Sequence, residues 1–369
     1  MSAKPYIGGQ AVIEGVMMRA PEGLSVAVRR PDATIAVLEG QLPSEQSGVR
    51  KIPGLRGIAT LVESMSVGYR ALSFSASQQE TEETPPSAGA SARSMLAAAV
   101  VAMASLEPDV GPAPKKKDEA AEKPAPSLTR EEKPSIAQRG ALVLSTLFAL
   151  GLFIALPQAL TVGLSHVTGL ALTPADWRFH AITGGFKLAV LTGYLVVISR
   201  IEEIRRVFHY HGAEHKTIYA YEAELPLTVE NVRKQSPLHP RCGTTFLITV
   251  VIISVVLGSI LTPLVLPNAT GLEGQIETLA LRISLLPLIA AVSYELQRLS
   301  ARYCTTGPLR VLLYPGFLFQ KITTREPDDR QIEVAIVAMQ AARTKTKAEG
   351  VSAFDSFASA SSHYAASAA

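Results

Sequence analysis

Four stretches of the chain stay apolar for about the 20 residues that a helix needs to cross a hydrocarbon core: residues 140–164, 180–199, 244–266 and 278–297. The third, which includes Thr245 to Ile253, is the clearest. The fourth is the weakest, with Arg282 near its start and Glu295 and Arg298 near its end. Arg282 is expected to snorkel its charge outward; Lys187 in the second stretch does the same or faces inward as a functional lysine. A further apolar run, Leu309–Phe319, is broken by Pro315-Gly316 and reads as interfacial or re-entrant. The first 75 residues follow other periods. Ser25 to Arg30 alternates apolar and polar positions, which predicts strands, with Arg30-Pro31-Asp32-Ala33 as the turn between two of them. Leu55, Ile58, Leu61, Val62, Met65 and Leu72 fall at helical spacing, which predicts an amphipathic helix over 55–74 resting on a membrane surface. Near the other end, Asp328 and Gln331 form a capping pair ahead of a helix whose Ile332, Ala335, Ile336 and Met339 make an apolar face suited to the N-terminal unit.

Composition marks the remaining boundaries. Residues 76–138 are rich in Ala, Pro, Glu and Lys, too poor in large apolar side chains to offset their ordering entropy, and read as a disordered linker; Met95 to Ala104 within it is apolar but too short to span. The Ala- and Ser-rich residues 346–369 read as a disordered tail. The expected organisation is a small α+β unit at 1–75, the linker, a membrane domain at 139–320 with a His-rich loop at 200–243, an amphipathic helix at 321–345 and the tail. The fold class is therefore mainly α: a polytopic membrane protein with about four transmembrane helices, a small N-terminal α+β unit and an amphipathic C-terminal helix.

Charge gives the orientation. Loop 200–243 holds seven Lys and Arg, loop 165–179 holds only Arg178, and loop 267–277 holds none. The positive-inside rule then places the central loop, the N-terminal unit and both termini in the cytosol. The net charge of +3 gives no reason to expect nucleic acid as a partner, which leaves the lipid bilayer. Met1 to Gln10 contains no apolar core of a cleavable signal. Cys242 and Cys304 form no CxxC framework and are expected to be reduced.

Chemistry concentrates in the central loop, where His209, His211, His215 and His239 fall within 31 residues. On a helix over 201–224 continuing from the second span, His211 and His215 project from one face and could share a metal ion. His-x-x-Glu-His is the inverted form of a zinc-protease motif, with Glu214 placed as general base. Glu222 returns to the same stripe. After a short helix over 229–235, Pro237 and Pro240 stiffen a turn that brings His239 and Cys242, both good zinc ligands, to the mouth of the third span. Four protein ligands would close the site as a structural one; three would leave a position open for catalysis. The bland alternative is a histidine-rich loop that hydrogen-bonds or meets lipid phosphates at the bilayer surface. Glu14 and Arg19 are softer candidates beside Gly8-Gly9, whose glycines permit a close backbone approach to a ligand or simply a turn. No P-loop ending follows them. Glu295 reads either as a further ligand or base or as an interfacial carboxylate paired with Arg298.

The segments Gly8 to Arg19, Tyr210 to Thr217, His239 to Thr244 and Thr323 to Asp329 resemble the YqhQ-like family of bacterial multi-pass membrane proteins, uncharacterised and described as predicted metal-dependent enzymes. The resemblance covers most of 5–75 and 138–340 and leaves 76–137 as an insertion. Many members carry a cysteine where this chain has Gln235, which implies that this position is not an essential ligand. A bacterial inner-membrane location and a divalent metal, expected to be zinc, follow. The leading expectation is a membrane-bound hydrolase in which His211, His215 and either His239 or Cys242 hold the ion and Glu214 activates water, acting on a membrane protein segment, a lipid or a small metabolite. The alternatives are a scaffold or assembly factor with a closed structural metal site, and a transporter, which the loop position of the ligands disfavours.

Overall fold

The computed structural model describes residues 7–20, 23–40, 55–79, 136–304 and 308–343. Most of the expected linker, the Met95–Ala104 stretch and the expected tail lie outside them. Four strands open the chain: β1 (Gly8–Val12), β2 (Gly15–Ala20), β3 (Gly23–Arg29) and β4 (Ile35–Gly40), paired antiparallel in sequence order. Glu14 makes the β1–β2 turn with φ 53°, and the Arg30–Thr34 turn joins β3 to β4. Gln10, Met17, Val26 and Leu38 stand opposite one another across the sheet, as do Ala11, Val16, Ala27 and Val37. Opposed residues share a face, so these are the two sides of the sheet.

Both sides are covered. Helix α1 (Leu55–Ser77) lies on the first, where Arg19 meets Glu63 and Gly68 closes on the Gln10 amide. The second meets α5 (Glu202–Glu222) and α11 (Asp329–Arg343), with Ser25 donating to the Ala338 carbonyl at 2.5 Å. Val16, Met18, Val28, Ile332 and Met339 are fully buried between these layers, each worth about 1.5–3 kcal/mol of transfer free energy. Asp328 accepts from Gln331 N–H at 2.8 Å and the Gln331 side chain accepts from Asp328 N–H at 2.9 Å, a reciprocal cap that starts α11.

The apolar helices begin with α2 (Ile136–Leu150), which passes through a π-helical turn at Gly151–Ala155 into α3 (Leu156–Thr168). Pro157 cannot donate to that ladder, and the π turn absorbs the misfit. Then come α4 (Trp177–Ile198), the short α6 (Val229–Arg233), α7 (Thr244–Val265), α8 (Gly271–Ser284), α9 (Leu286–Tyr303) and α10 (Tyr314–Thr323). Three helices, Val143–Thr168, Trp177–Ile198 and Thr244–Val265, are long and apolar enough to cross a membrane, or four if the pair α8–α9, bent by 48°, is one span. Ile252, Val256, Ile260, Leu264 and Val265 of α7 are exposed, and that apolar surface is what lipid would cover.

Several expectations change. The fourth span is broken at Leu285, where Pro287 has no N–H to offer the preceding turn. Helix α5 does not continue α4: Ser199–Ile201 turns the chain, and Glu202 and Glu203 start a new helix where carboxylates suit its positive end. Arg282 points inward, 8% exposed, because the bundle supplies hydrogen-bond acceptors that lipid cannot. Lys187 donates to Ser254 of α7 at 3.0 Å. Glu295 pairs with Arg56 of α1, not with Arg298, and ties α1 to α9. The 309–319 segment is a 3-10 turn followed by α10, a helix of 10 residues, too short to span.

Candidate metal centre

Helix α5 is buried along most of its length between the sheet, α6 and α11. His211 and His215, four residues apart, project from one face of it with ring centroids 4.4 Å apart. Cys242 comes from the turn ahead of α7. The ligand atoms of His211, His215 and Cys242 all lie within 4.8 Å of one another, and His211 Nε2 is 3.3 Å from Cys242 Sγ. One tetrahedral ion, with bonds of about 2.0–2.1 Å to nitrogen and about 2.3 Å to sulfur, would hold such atoms roughly 3.3–3.6 Å apart. Small side-chain rotations suffice.

Main-chain carbonyls select the tautomers. His211 Nδ1 lies 2.9 Å from Thr323 O, and His215 Nδ1 lies 2.5 Å from Pro237 O. A carbonyl only accepts, so each Nδ1 carries the proton and each Nε2 presents its lone pair. A carbonyl behind the ring is the usual support of a metal-bound histidine. Among the described residues, His215 Nε2 is buried with no hydrogen-bond partner. Burial, reinforced by neighbouring His211 and His239, holds the His215 pKa well below the usual histidine range. That keeps the ring neutral, as a ligand must be. The Thr244 hydroxyl donates to Cys242 Sγ at 3.3 Å. Two imidazole nitrogens, one sulfur and an unpartnered lone pair in a buried pocket fit a divalent ion of the zinc class.

His239 stands outside this trio. Its ring lies behind His215, centroids 5.6 Å apart, and against Tyr219 at 4.6 Å. Its Nε2 faces Glu222 at 3.7 Å, and Glu222 also pairs with Arg241. His209 bonds the Glu326 carbonyl instead. Glu214 is 1% exposed and also outside the trio. Its side chain packs on Gly9 of β1, where an added Cβ would fall 2.7 Å from Glu214 Cγ. The close approach anticipated from Gly8-Gly9 is thus made by the motif's own glutamate. Glu14 pairs with Arg206 of α5, and Tyr210 reaches its carboxylate at 3.4 Å.

Some supporting residues carry no local signature. Gln320 of α10, fully buried, accepts from His239 N–H at 2.9 Å and donates to His239 O at 2.8 Å, which fixes the turn leading to Cys242. The 324–327 strap crosses α5 at Gly212, whose missing side chain makes room for the Arg325 carbonyl, and Arg325 N–H donates to Phe208 O at 2.9 Å. Lys216, buried, bonds both Arg233 O at 2.8 Å and the Glu326 carboxylate. The only sequence signal for this strap is the Thr323 to Asp329 string.

Over residues 52–345 the sequence matches the family described as protein of unknown function (DUF1385). It is 33% identical over 345 residues to the protein of Bacillus subtilis (strain 168) described as uncharacterized protein YqhQ, with 90% of each chain covered. No solved structure matches it.

Proposed function

Since the chain belongs to the DUF1385 family of YqhQ-like proteins, whose description carries no reaction, we propose from the site alone that it is a metal-dependent, membrane-bound hydrolase. The observation that carries this reading is the convergence of one ring nitrogen each of His211 and His215 with Cys242 Sγ within 4.8 Å, three donors that leave a tetrahedral ion one open position. When bound there, a zinc-class ion supplies Lewis acidity. Glu214 follows His211 by three residues and precedes His215 by one, and its burial against Gly9 keeps its carboxylate in a fixed place. In the reaction Glu214 takes the proton of the attacking water and returns it to the leaving group. The basic residues of loop 200–243 support a cytosolic face of the inner membrane for the site, where a membrane protein segment or a lipid reaches it from the bilayer.

The test is Glu214→Gln in a strain lacking the gene. The variant should fail to restore the wild-type phenotype while its metal content and melting temperature match those of the wild type. Full restoration contradicts a catalytic Glu214. A second reading, a closed structural ion that locks α5 to the head of α7, draws on the burial of the donors: His211 is 7%, His215 0% and Cys242 1% exposed. It predicts the opposite result for Glu214→Gln, full function with metal retained.

A further inference from the structure

The spans carry a second polar centre, toward the end of the bundle away from the metal centre. Arg282, in the last turn of α8, donates to the Gln158 side-chain oxygen of α3 at 3.0 Å and to His180 Nδ1 of α4 at 3.1 Å. Its guanidinium lies 5.5 Å from the centroid of the Phe179 ring. His180 Nε2 lies 2.8 Å from the Pro174 carbonyl, so Nε2 carries the proton and Nδ1 is the acceptor. Gln158 in turn donates to Gln275 of α8 at 2.8 and 3.0 Å. Two turns along α4, Lys187 meets Ser254 near the midpoint of α7 at 3.0 Å. Gly258 of α7 leaves the room that the His180 ring needs; a Cβ there would fall 2.8 Å from Nδ1.

The charges in this bundle do not balance. Helices α3, α4 and α7 contain no Asp or Glu. Glu273 and Glu277 of α8 are exposed, Glu295 of α9 is held by Arg56, and Asp176, which caps α4 beside His180, is bonded to Arg178. Among the described residues no carboxylate forms an ion pair with Arg282 or Lys187. Amides and a neutral imidazole solvate a guanidinium but do not neutralise it, and a charge at membrane depth is costly unless it is paired.

We infer that Arg282, with Gln158 and His180 beside it and Lys187 two turns further along α4, forms an intramembrane site for an oxyanion of the phosphate class. The planar guanidinium matches phosphate geometry. Two sources present that chemistry within reach of a membrane bundle, the headgroup of an anionic lipid and free phosphate.

Thermal unfolding of the detergent-purified chain separates them, measured with added phosphatidylglycerol, phosphatidylcholine or inorganic phosphate. In the wild type, phosphatidylglycerol should raise the midpoint and phosphatidylcholine should not; a rise with inorganic phosphate as well assigns the site to the free oxyanion. Arg282→Met should lose the effect. Lys187→Met, at a half-buried position, should weaken it and carries the test should Arg282→Met not fold. Arg205→Gln, at an exposed position in the first turn of α5, should keep it, which separates the site from general attraction of anionic lipid. The inference is overturned if neither phosphatidylglycerol nor phosphate stabilises the wild type, or if the Arg282 and Lys187 variants respond as the wild type does.

Discussion

His211 and His215 each commit Nδ1 to a carbonyl, and that leaves both Nε2 lone pairs free, the one on His211 3.3 Å from the Cys242 sulfur. At this scale the sequence is partly transparent. The i, i+4 spacing of the histidines is a local property of a helix, and the stiff Pro237 to Cys242 turn is visible as well. The Thr323 and Pro237 carbonyls and the Gln320 amide are not, because their roles depend on elements brought together from distant parts of the chain. Gly9 lies between these cases: the need for a bare backbone is legible, but not that the approaching group is Glu214. Gly9→Ala should therefore displace Glu214 and cost about 1–3 kcal/mol, as overpacking does. A lower melting temperature than wild type, partly recovered by the shorter Glu214→Asp in the same chain, checks it; an unchanged melting temperature contradicts the contact. Burial also sets a pH dependence. It pushes His239 down to about 3 and His215 well below 6.5. The unfolded chain takes up these protons near 6.5 and the folded chain does not, so this contribution to stability is present above about pH 6.5 and lost as the pH falls below it. Melting of chelator-treated protein from pH 8 to pH 5 should show a midpoint that drops on acidification, and a flat profile contradicts neutral buried histidines.

Among elements, α5 and α11 show what period and capping can and cannot convey. The apolar face of Ile332, Ala335, Ile336 and Met339 and the Asp328–Gln331 cap are both local patterns, and both are present in the structure. Asp328→Ala removes the side-chain acceptor at the start of α11 and should cost about 1 kcal/mol. Hydrogen exchange should then speed up in the first turn of α11 and in the 324–327 strap before it, while the strands of the sheet keep their protection; uniform exchange throughout would deny the cap a local role. The break between α4 and α5 escapes hydropathy, because the change from an apolar to a mixed helix at Ser199–Ile201 reads equally well as one helix leaving the membrane. The break in the fourth span carries a signal in Pro287, but a proline in an apolar run also occurs inside continuous membrane helices, as Pro263 does in α7. Arg56 and Glu295 lie 239 positions apart, beyond any reading of neighbouring residues.

For the whole molecule, the apolar runs and their lengths are sufficient to read a mainly helical chain with three or four candidate spans, because covering a hydrocarbon core is a matter of length and composition. What joins those spans to the α+β unit is less legible. Helix α5 covers the sheet, α10 packs against α4 and α7, and the Cys242 turn begins α7. The histidines and the cysteine meet at this junction, so an ion held there would couple the sheet unit to the membrane bundle whether it serves catalysis or structure. The most direct test is elemental analysis of the purified full chain beside His211→Ala, Cys242→Ala and His239→Ala. The wild type should carry close to one zinc-class ion per chain, the His211 and Cys242 variants should lose it, and the His239 variant should retain it. Folded wild type without metal, or metal retained in all three variants, contradicts a metal centre at these residues.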